Sequence, residues 1–500
     1  MRNILTQFEA TAARVPEKKA IADQNESFTY GQLRDLARRV GTAIGTGEKN
    51  RPVGVLAARD IRTPAFFLGA LYSGNYYVPI DPDMPPEKKQ AILDETGMRV
   101  ILGTEENRAL LEPLRFDGVY LTPDMPDSEC AALPDGGDDD PLYMVYTSGS
   151  TGKPKGILKS HRAEISYIET CCDYFGFSED EVIGNQTPFF FDASGKDLYM
   201  MFRLGCTLEI LPTKLFSFPT ELMEYMNERR VSFISWVPTA ISIVAQLNPF
   251  SLVKPEYLKR VFFVGEVMPM KYLNKWRRAL PDVQYVNLYG QSELAGVCCC
   301  FEVRGEWDDK AVLPMGKPLP NCRVYLLDGE AVVQEPGRIG ELYIVSDALA
   351  LEYFHDPEKT TASFLTKDFG EGAVRCFKTG DMAQYDGEGN LVFAARSDFQ
   401  IKHMGRRIEL GEIEAIATAL DEIKMCCCLY NPEKQWIYLF AELSDGYALS
   451  GQELRSILRG RLTDYMLPRK VVILDKMPLS PNGKMDRQTL KARMKERRSE

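Results

Sequence analysis

The 500-residue chain lacks any apolar run long enough to cross a membrane. A spanning helix needs about 18 to 20 consecutive apolar residues, so no membrane partner is expected. An excess of basic residues is also missing, because the formal net charge is -11. General nucleic-acid binders are usually basic, so no nucleic-acid partner is expected either. A local basic site for a phosphate ligand remains compatible with this composition.

The twelve cysteines lack any C-x-x-C pair, which argues against a zinc or redox motif. Most stand in clusters, at 171–172, 298–300 and 426–428. Adjacent cysteines on a strand point to opposite faces and pair poorly as disulfides, so we expect reduced, buried thiols. The first residues, "MRNILTQFEATAARVPEKKA", predict an amphipathic helix without the apolar stretch of a signal peptide. A cytoplasmic location is therefore expected.

Short apolar runs alternate with helical patterns along most of the chain, which predicts a layered α/β fold. The predicted strands include "PLYMVY", "VSFISWV", "RVFFVG" and "VQYVNLY", with "PMKYLNKWRRAL" as a helix between the last two. "RVYLLD" and "GELYIV" indicate a smaller β-rich subdomain. After about residue 397, the helical "RRIELGEIEAIATAL" and "GQELRSILRGRL" alternate with the strands "MCCCLY", "QWIYLFAEL" and "KVVIL". This pattern predicts a compact α+β unit of about a hundred residues.

The stretch "YTSGSTGKPKG", residues 146–156, follows a predicted strand and combines hydroxyls, glycines and lysines. Glycines allow backbone N–H groups to approach an anion, and lysines supply charge for a polyphosphate. A P-loop NTPase would need Gly-x4-Gly-Lys followed by Ser or Thr. Here Lys153 is followed by Pro154, and Thr147 stands where the first glycine belongs. The stretch therefore predicts a phosphate loop of another kind.

Continued by "ILKSH", this loop resembles that of the adenylate-forming superfamily, which includes acyl-CoA synthetases, luciferase and nonribosomal peptide synthetase adenylation domains. Further motifs of that superfamily follow in order: "FTYGQL", "GNYYVPIDPDMP", "NLYGQSE", "GELYIV", "KTGDMAQYDGEGNL", "RSDFQIKHMGRRIELGEIE" and "MPLSPNGKMDR". The pattern is most similar to amino-acid adenylation domains and D-alanine–carrier-protein ligases. The resemblance implies a large N-terminal α/β domain with a β-rich subdomain, residues 1–397, and a small mobile C-terminal α+β domain, residues 398–500.

The resemblance also implies an activity: ATP and Mg²⁺ are used to convert an amino acid into an aminoacyl-adenylate. The acyl group then passes to the phosphopantetheine thiol of a carrier protein, which acts in trans or within a larger synthetase. Lys484 is implied as the catalytic lysine, Glu293 as a catalytic residue and magnesium ligand, and Asp381 as the acceptor of both ribose hydroxyls. Arg396 would contact the ribose, and Tyr289 would stack on adenine.

The remaining implied nucleotide contacts come from the loop and from the ends of two strands. They are Thr147, Ser148, Gly149, Ser150, Thr151, Gly152, Lys153, Gly265, Asn287, Leu288, Gly290, Gln291 and Ser292. Asp398 matches the hinge between the two domains. Lys402, Gly405, Arg407 and Glu409 lie in the segment that the small domain presents for thiol transfer. An element boundary is a physically sensible place for a hinge.

The implied substrate pocket is mostly apolar and contains one cation. Its residues are Asp192, Ala193, Lys196, Ser235, Phe262, Val264, Leu288, Gly296 and Val297, with Lys484 completing the set. Asp192 would bind the substrate ammonium; it lies four residues before Lys196 at the start of a predicted helix, so the two would share one face. A buried lysine needs a partner. If Asp192 or Asp197 supplies it, a small or apolar amino acid such as alanine or D-alanine fits; otherwise Lys196 meets a substrate side-chain carboxylate. The opening Asp-Ala-Lys of this lining resembles that of glutamate-activating domains, which implies an acidic substrate, glutamate before aspartate, with the small or apolar amino acid as the alternative.

Two other functions are compatible with parts of the sequence. An acyl- or aryl-CoA ligase would share the fold, but Asp192 is typical of amino-acid-activating relatives. A non-catalytic nucleotide-binding protein would share it too, and retention of Lys484, Asp381 and Glu293 argues against that alternative.

Overall fold

The computed structural model describes residues 3–45, 47–124, 133–147, 154–370, 372–396, 400–478 and 485–496. The chain divides into two units. The first comprises residues 1–82, 96–145 and 156–397, and the second comprises residues 83–95, 146–155 and 398–500. Two short segments that the sequence analysis assigned to the N-terminal domain thus group with residues 398–500. No helix in the described ranges is long and apolar enough to span a membrane.

Where the structure describes it, the first unit contains three sheets, and the largest has nine strands. In spatial order these are β15 (Lys317–Pro318), β14 (Cys299–Glu302), β13 (Gln284–Tyr289), β12 (Arg260–Val264), β11 (Phe233–Trp236), β9 (Val182–Asn185), β10 (Thr207–Ile210), β1 (Lys19–Ala22) and β2 (Ser27–Thr29). The central strands from β13 to β1 are parallel. Parallel strands end at a common edge, which gathers loop residues into one site.

The second sheet has seven strands. Its order is β19 (Glu352–Tyr353), β8 (Lys155–Ser160), β7 (Pro141–Thr147), β4 (Tyr76–Ile80), β3 (Pro52–Leu56), β5 (Val100–Leu102) and β6 (Val119–Leu121). The third, β-rich sheet runs β17 (Ala331–Val333), β16 (Cys322–Asp328), β18 (Gly340–Ser346), β21 (Ala373–Tyr385) and β20 (Phe364–Asp368), and β22 (Leu391–Arg396) also pairs with β21.

The helices of the first unit alternate with its strands along the chain. They are α1 (Ile4–Arg14), α2 (Tyr30–Ile44), α3 (Thr63–Tyr72), α5 (His161–Phe175), α6 (Gly195–Leu204), α7 (Pro219–Glu228), α8 (Pro238–Leu247), α9 (Met270–Ala279) and α10 (Pro357–Ser363). Short 3₁₀ turns occupy Glu105–Leu111, Asp192–Ser194, Thr213–Ser217 and Pro249–Ser251. Neighbouring residues of β12 belong to separate cores: Phe262 packs with the helices α5 and α6, and Phe263 packs with α8 and α9. The nine-stranded sheet is therefore buried on both faces, as its apolar strands require.

The second unit contains a two-stranded and a three-stranded sheet. The strands are β23 (Gln400–His403) with β24 (Arg406–Glu409), and β25 (Ile423–Asn431), β26 (Trp436–Leu443) and β27 (Lys470–Ile473). Its helices are α4 (Pro86–Thr96), α11 (Leu410–Thr418), α12 (Gly451–Arg459) and α13 (Arg487–Glu496), with a 3₁₀ turn at Asp464–Met466. Ile413, Leu439 and Leu454 are fully buried in its core.

The predicted α/β class, the β-rich subdomain and the C-terminal α+β unit are confirmed. Two local predictions were wrong. "RRIELGEIEAIATAL" is not helical throughout, because Arg406–Glu409 pairs with Gln400–His403 as a hairpin and the helix begins only at Leu410. Residues 155–160, expected as part of the loop before a helix, form strand β8. The described cysteines are free thiols, as expected, and all but Cys426 are buried.

Candidate active site

The ends of three parallel strands bring four of the predicted pocket residues onto one face of the nine-stranded sheet. Ser235 on β11 lies opposite Phe262 on β12, and Val264 lies opposite Leu288 on β13. Because Phe262 and Val264 are two residues apart on one strand, all four side chains point the same way. Phe262 is fully buried against Phe175 and Phe233, whereas Val264, at the end of the strand, is half-buried.

The loop after β13 folds back closely on itself, and two glycines allow it. A Cβ on Gly290 would come within 2.4 Å of the carbonyl oxygen of Gly296. Gly296 itself has a φ of +79°, and a Cβ there would come within 2.2 Å of the ring of Tyr167. A side chain at either position would push the loop away from the strand. Because of this tight turn, the predicted residues Gly296 and Val297 stand beside Gly290, two residues after Leu288.

Asp381 on β21 meets the loop after β13 and is buried. The hydroxyl of Tyr289 donates to its carboxylate, and Gln291 Nε2 donates to its Oδ2 at 2.6 Å. The same amide nitrogen also donates to the carbonyl of Thr379 at 3.3 Å, which fixes the orientation of the amide. Burial beside Asp381 raises the pKa of Tyr289 well above its ordinary value, so its hydroxyl keeps its proton.

Gln291 Oε1 is buried, and the described part of the chain offers it no hydrogen-bond partner. A pair of ribose hydroxyls could donate hydrogen bonds to this free acceptor and to the neighbouring carboxylate of Asp381. The Asp381 and Gln291 side chains therefore fit the sugar of a nucleotide.

Glu293 stands two residues further along the loop and is buried. Tyr353 donates its hydroxyl to Glu293 Oε1 at 2.6 Å, and the backbone N–H of Ala350 donates to the Glu293 carbonyl at 2.9 Å. In the described ranges no group of three His, Cys, Asp or Glu residues could hold a metal ion by itself. Mg²⁺ commonly takes one or two carboxylates and completes its shell with phosphate oxygens and water. A single oriented carboxylate at Glu293 fits that mode.

Asp192 is held by two residues that the sequence analysis did not single out. Lys159 Nζ donates to Asp192 Oδ1, and the hydroxyl of Tyr143 donates to the same oxygen at 2.8 Å. Lys159 is fully buried on β8, and its Nζ also donates to the carbonyl of Leu294 at 2.8 Å. One side chain thus joins Asp192 to the residue that follows Glu293.

A second carboxylate, that of Glu164, lies near Asp192. Glu164, on α5, is 1% exposed, and its Oε2 is 3.1 Å from the Tyr143 hydroxyl that also contacts Asp192. Burial raises the pKa of Glu164 to about 7, against a smaller lowering effect of Lys159. Burial likewise keeps the pKa of Tyr143 well above its ordinary value.

Lys196 does not pair with Asp192. Its Nζ donates to Asp197 Oδ1 at 3.0 Å, and Asn185 Nδ2 donates to Asp197 Oδ2 at 3.0 Å. The ammonium also lies over the ring of Phe233, 4.9 Å from its centroid. Of the two partners that the sequence offered, the structure selects Asp197, because Asp192 belongs to a 3₁₀ turn and the helix begins at Gly195.

Other predicted residues have simpler positions. Asn287 turns to the opposite face of β13 and donates to the carbonyl of Pro314 at 2.7 Å, while Ala193 is exposed. Thr147 ends β7, Gly265 follows β12 with a φ of +101°, and Ser292 lies half-buried in the loop after β13. Ser148, Gly149, Ser150, Thr151, Gly152, Lys153, Asp398 and Lys484 lie outside the described residues, as does the side chain of Arg396. The backbone of Arg396 pairs with Asp381.

The residues that sequence reasoning missed are Lys159, Glu164, Tyr143 and Tyr353. Lys159 had a usable signal: it interrupts the apolar strand "KGILKS" directly after the phosphate loop. A lysine inside a buried strand must find a carboxylate, which singles it out. Glu164 gave no comparable signal, because a glutamate early in a helix is ordinarily solvated.

Comparison with known proteins agrees with this geometry. Residues 8–354 match the model of the AMP-binding enzyme family, and residues 412–484 match that of the AMP-binding enzyme C-terminal domain. The chain belongs to the AMP-binding enzyme family. This family is part of the adenylate-forming superfamily, whose members use ATP. The resemblance drawn from the ordered motifs is thereby confirmed.

Among curated relatives of this AMP-binding enzyme is the dimodular nonribosomal peptide synthase of Bacillus subtilis, 30% identical over 505 residues, covering 97% of this chain and 20% of that protein. Tyrocidine synthase 2 of Brevibacillus parabrevis is 28% identical over 508 residues, covering 99% of this chain and 14% of that protein. The chain thus spans a fifth or less of these longer relatives. Zwittermicin A synthase ZmaJ of Bacillus cereus is 28% identical, and the match covers 97% of this chain and 93% of that protein.

Solved structures show the same fold. Holo-PA1221, a nonribosomal peptide synthetase protein containing adenylation and PCP domains, aligns with a TM-score of 0.84 at 25% identity, over 98% of this chain and 84% of that one. The Vibrio cholerae adenylation domain AlmE, in complex with glycyl-adenosine-5'-phosphate, aligns with a TM-score of 0.83 at 19% identity, over 99% and 98%. The AMP-binding enzyme described here therefore has the architecture of an adenylation domain.

Proposed function

We propose that this enzyme activates an amino acid as its adenylate and then transfers the acyl group to the phosphopantetheine thiol of a carrier protein. The observation that carries the proposal is the bridge made by Lys159. It binds Asp192 through one hydrogen bond and the carbonyl of Leu294 through another. An acid recognised at Asp192 is consequently held next to the loop that carries Glu293 and Gln291.

The first half-reaction joins two anions, since the substrate carboxylate attacks the α-phosphorus of ATP and pyrophosphate leaves. The protein's task is positioning and charge stabilisation, and no protein nucleophile is needed. Asp381 and Gln291 supply the acceptors for the ribose. Glu293 would hold Mg²⁺, which when bound lowers the negative charge on the phosphate oxygens. Lys484, by its motif, would bridge the carboxylate and the phosphate.

The substrate we favour has an uncharged side chain. Lys196, the cation of the pocket, is buried and already donates to Asp197, which also accepts from Asn185. The pair is electrically neutral, so it offers no net positive charge to a substrate carboxylate. A buried carboxylate without a counter-charge is costly. This arrangement supports a small or apolar amino acid over glutamate as the substrate. The exchange experiment described below includes glutamate and can therefore contradict this choice.

The proposal of a carrier protein as partner is supported by solved structures with the same fold. Solved structures similar to this chain include proteins that hold an adenylation domain together with a PCP domain. We propose that the carrier thiol attacks the adenylate and that AMP leaves. The carrier is supplied in trans or from the same polypeptide.

The test is ATP–pyrophosphate exchange with the twenty amino acids and D-alanine, with a reaction lacking any acid as the control. We expect exchange with one uncharged amino acid, and AMP with pyrophosphate as the products of turnover. ADP as the product would reject adenylation. Preference for glutamate over every uncharged amino acid would show that Lys196 exchanges Asp197 for a substrate carboxylate.

A further inference from the structure

Three buried side chains lie around Asp192 and form with it what we call the recognition cluster: Lys159, Glu164 and Tyr143. Lys159 and Glu164 are 0% and 1% exposed, whereas the side chain of Asp192 is 15% exposed. Both carboxylates lie within about 3 Å of the Tyr143 hydroxyl oxygen, as the distances of 2.8 and 3.1 Å show. The two acidic groups therefore share one low-dielectric region with a single lysine.

One of the two carboxylate oxygens of Asp192 accepts hydrogen bonds from the protein. Oδ1 accepts from both Lys159 and Tyr143, and Oδ2 has no hydrogen-bond partner in the part of the chain that the structure describes. Since Asp192 is the partly exposed member of the cluster, its second oxygen is the one available to a ligand. Lys159 is thus a positioning residue, because it fixes Asp192 and ties it to the Leu294 carbonyl.

This fixation has an electrostatic consequence. The Lys159 ammonium cancels the charge of Asp192, so the pair alone attracts a substrate ammonium weakly and the lysine repels it. A neutral pair would accept an acid without an amino group about as well as an amino acid. Selectivity for an ammonium needs one further negative charge nearby, and Glu164 is the carboxylate that the fold places there.

We propose that Glu164 is a second acidic determinant of substrate choice, which supplies the net negative charge that makes the pocket select an acid bearing an α-ammonium. The inference rests on the proposed function, because it assigns a role within the same substrate site. It makes Glu164 a specificity-determining residue that acts through its charge. The ligand class is an α-amino acid in its zwitterionic form.

The experiment is run at about pH 8, above the pKa of Glu164, so that its carboxylate is ionised. It compares two substrates in pyrophosphate exchange: the amino acid that gives the highest rate, and the same acid with hydrogen in place of its amino group. In Glu164→Gln the amide keeps the shape and loses the charge. We expect the KM of the amino acid to rise roughly 10- to 100-fold, the effect of losing one nearby charge in a partly screened site, while kcat changes little. The KM of the des-amino acid should stay the same or fall.

Glu169→Gln is the matched control, because Glu169 lies on the same helix and contacts Gln7 and Arg203 outside the cluster. It should leave both KM values unchanged. The double variant Lys159→Met with Glu164→Gln leaves Asp192 as the only charge of the cluster. It should discriminate between the two substrates better than Glu164→Gln alone.

The outcomes separate the two proposals. If no acid supports exchange in the unaltered enzyme, the proposed function fails. If an acid supports exchange but Glu164→Gln discriminates as well as Glu169→Gln does, only the role of Glu164 is overturned. A double variant that discriminates no better than Glu164→Gln also overturns it, and so does an unaltered enzyme that activates the des-amino acid as readily as the amino acid.

Discussion

Glu164 should cost the folded enzyme stability at neutral pH, and Glu164→Gln should remove that cost. The carboxylate is buried among groups from five elements, which are Lys159 on β8, Asp192 in the 3₁₀ turn, Tyr143 on β7, Tyr77 on β4 and Tyr199 on α6. Burial is the main reason why its pKa rises from 4.5 to about 7, and the charge of Asp192 adds to the rise. Lys159 and the hydrogen bond from Tyr143 act in the opposite direction.

The sign follows from proton linkage. Below pH 4.5 Glu164 is protonated in both the folded and the unfolded chain, and it contributes no penalty. Between about pH 4.5 and 7 the unfolded chain releases the proton while the folded chain keeps it, so stability falls as the pH rises. A difference of one bound proton changes the free energy of unfolding by about 1.36 kcal/mol per pH unit, so the loss between about pH 5 and pH 8 is roughly 2 to 3 kcal/mol. For a 500-residue chain this corresponds to roughly 2 to 3 °C in Tm.

The assay is thermal unfolding of the unaltered enzyme, Glu164→Gln and Glu169→Gln at about pH 5 and about pH 8, at one ionic strength and scan rate. We expect the Tm of Glu164→Gln to exceed that of the unaltered enzyme by roughly 2 to 3 °C more at the higher pH than at the lower, by the same linkage. Glu169→Gln should show no such change with pH. An equal difference at the two pH values would refute the reasoning, and a difference that shrinks towards the higher pH would mean that Lys159 keeps Glu164 ionised.

Two further predictions concern the nucleotide and the division of the reaction. Asp381→Asn should raise the KM for ATP by about 10-fold or more, because hydrogen bonds to a charged acceptor contribute roughly 1.5 to 3 kcal/mol. The KM is obtained from exchange rates measured against ATP concentration. Asp386→Asn, which changes a residue in a turn, is the control and should leave this KM unchanged. Lys484→Ala should slow adenylate formation by roughly 10²- to 10³-fold, yet leave thiol transfer from preformed aminoacyl-adenylate far less affected. Equal loss in both half-reactions, followed separately in single turnovers, would contradict a mobile C-terminal domain.

The strands and layers could be predicted because each apolar run carries its own information. "VSFISWV", "RVFFVG" and "VQYVNLY" are buried on both faces of a parallel sheet, and their uninterrupted apolar character indicates this. Prediction failed where a short strand and a helix share one continuous stretch. Arg406–Glu409 takes the strand conformation because Gln400–His403 is available to pair with it, and helical periodicity in the stretch gives no sign of that partner.

Part of the candidate pocket follows from the predicted strands, whereas its charge pairings do not. Parallel strand register brought Ser235, Phe262, Val264 and Leu288 together as the resemblance implied. The charge partners could not be predicted in this way. The spacing of Asp192 and Lys196 suggests a contact between them only if one helix contains both residues, and it does not. The partner of Asp192 is Lys159, 33 residues away on strand β8, and such a contact depends on how that strand and the 3₁₀ turn of Asp192 are packed.

The charges of the buried pocket, taken together, argue for one kind of substrate. Lys159 balances Asp192, and Lys196 balances Asp197, which leaves Glu164 as the unbalanced group. When Glu164 is ionised the pocket carries a net charge of about -1, and a substrate group of opposite unit charge is needed for neutrality. The α-ammonium of an amino acid supplies that charge, while the reacting carboxylate is directed to the nucleotide. A glutamate side chain would add a second negative charge with no cation left to meet it, so an uncharged side chain completes the site.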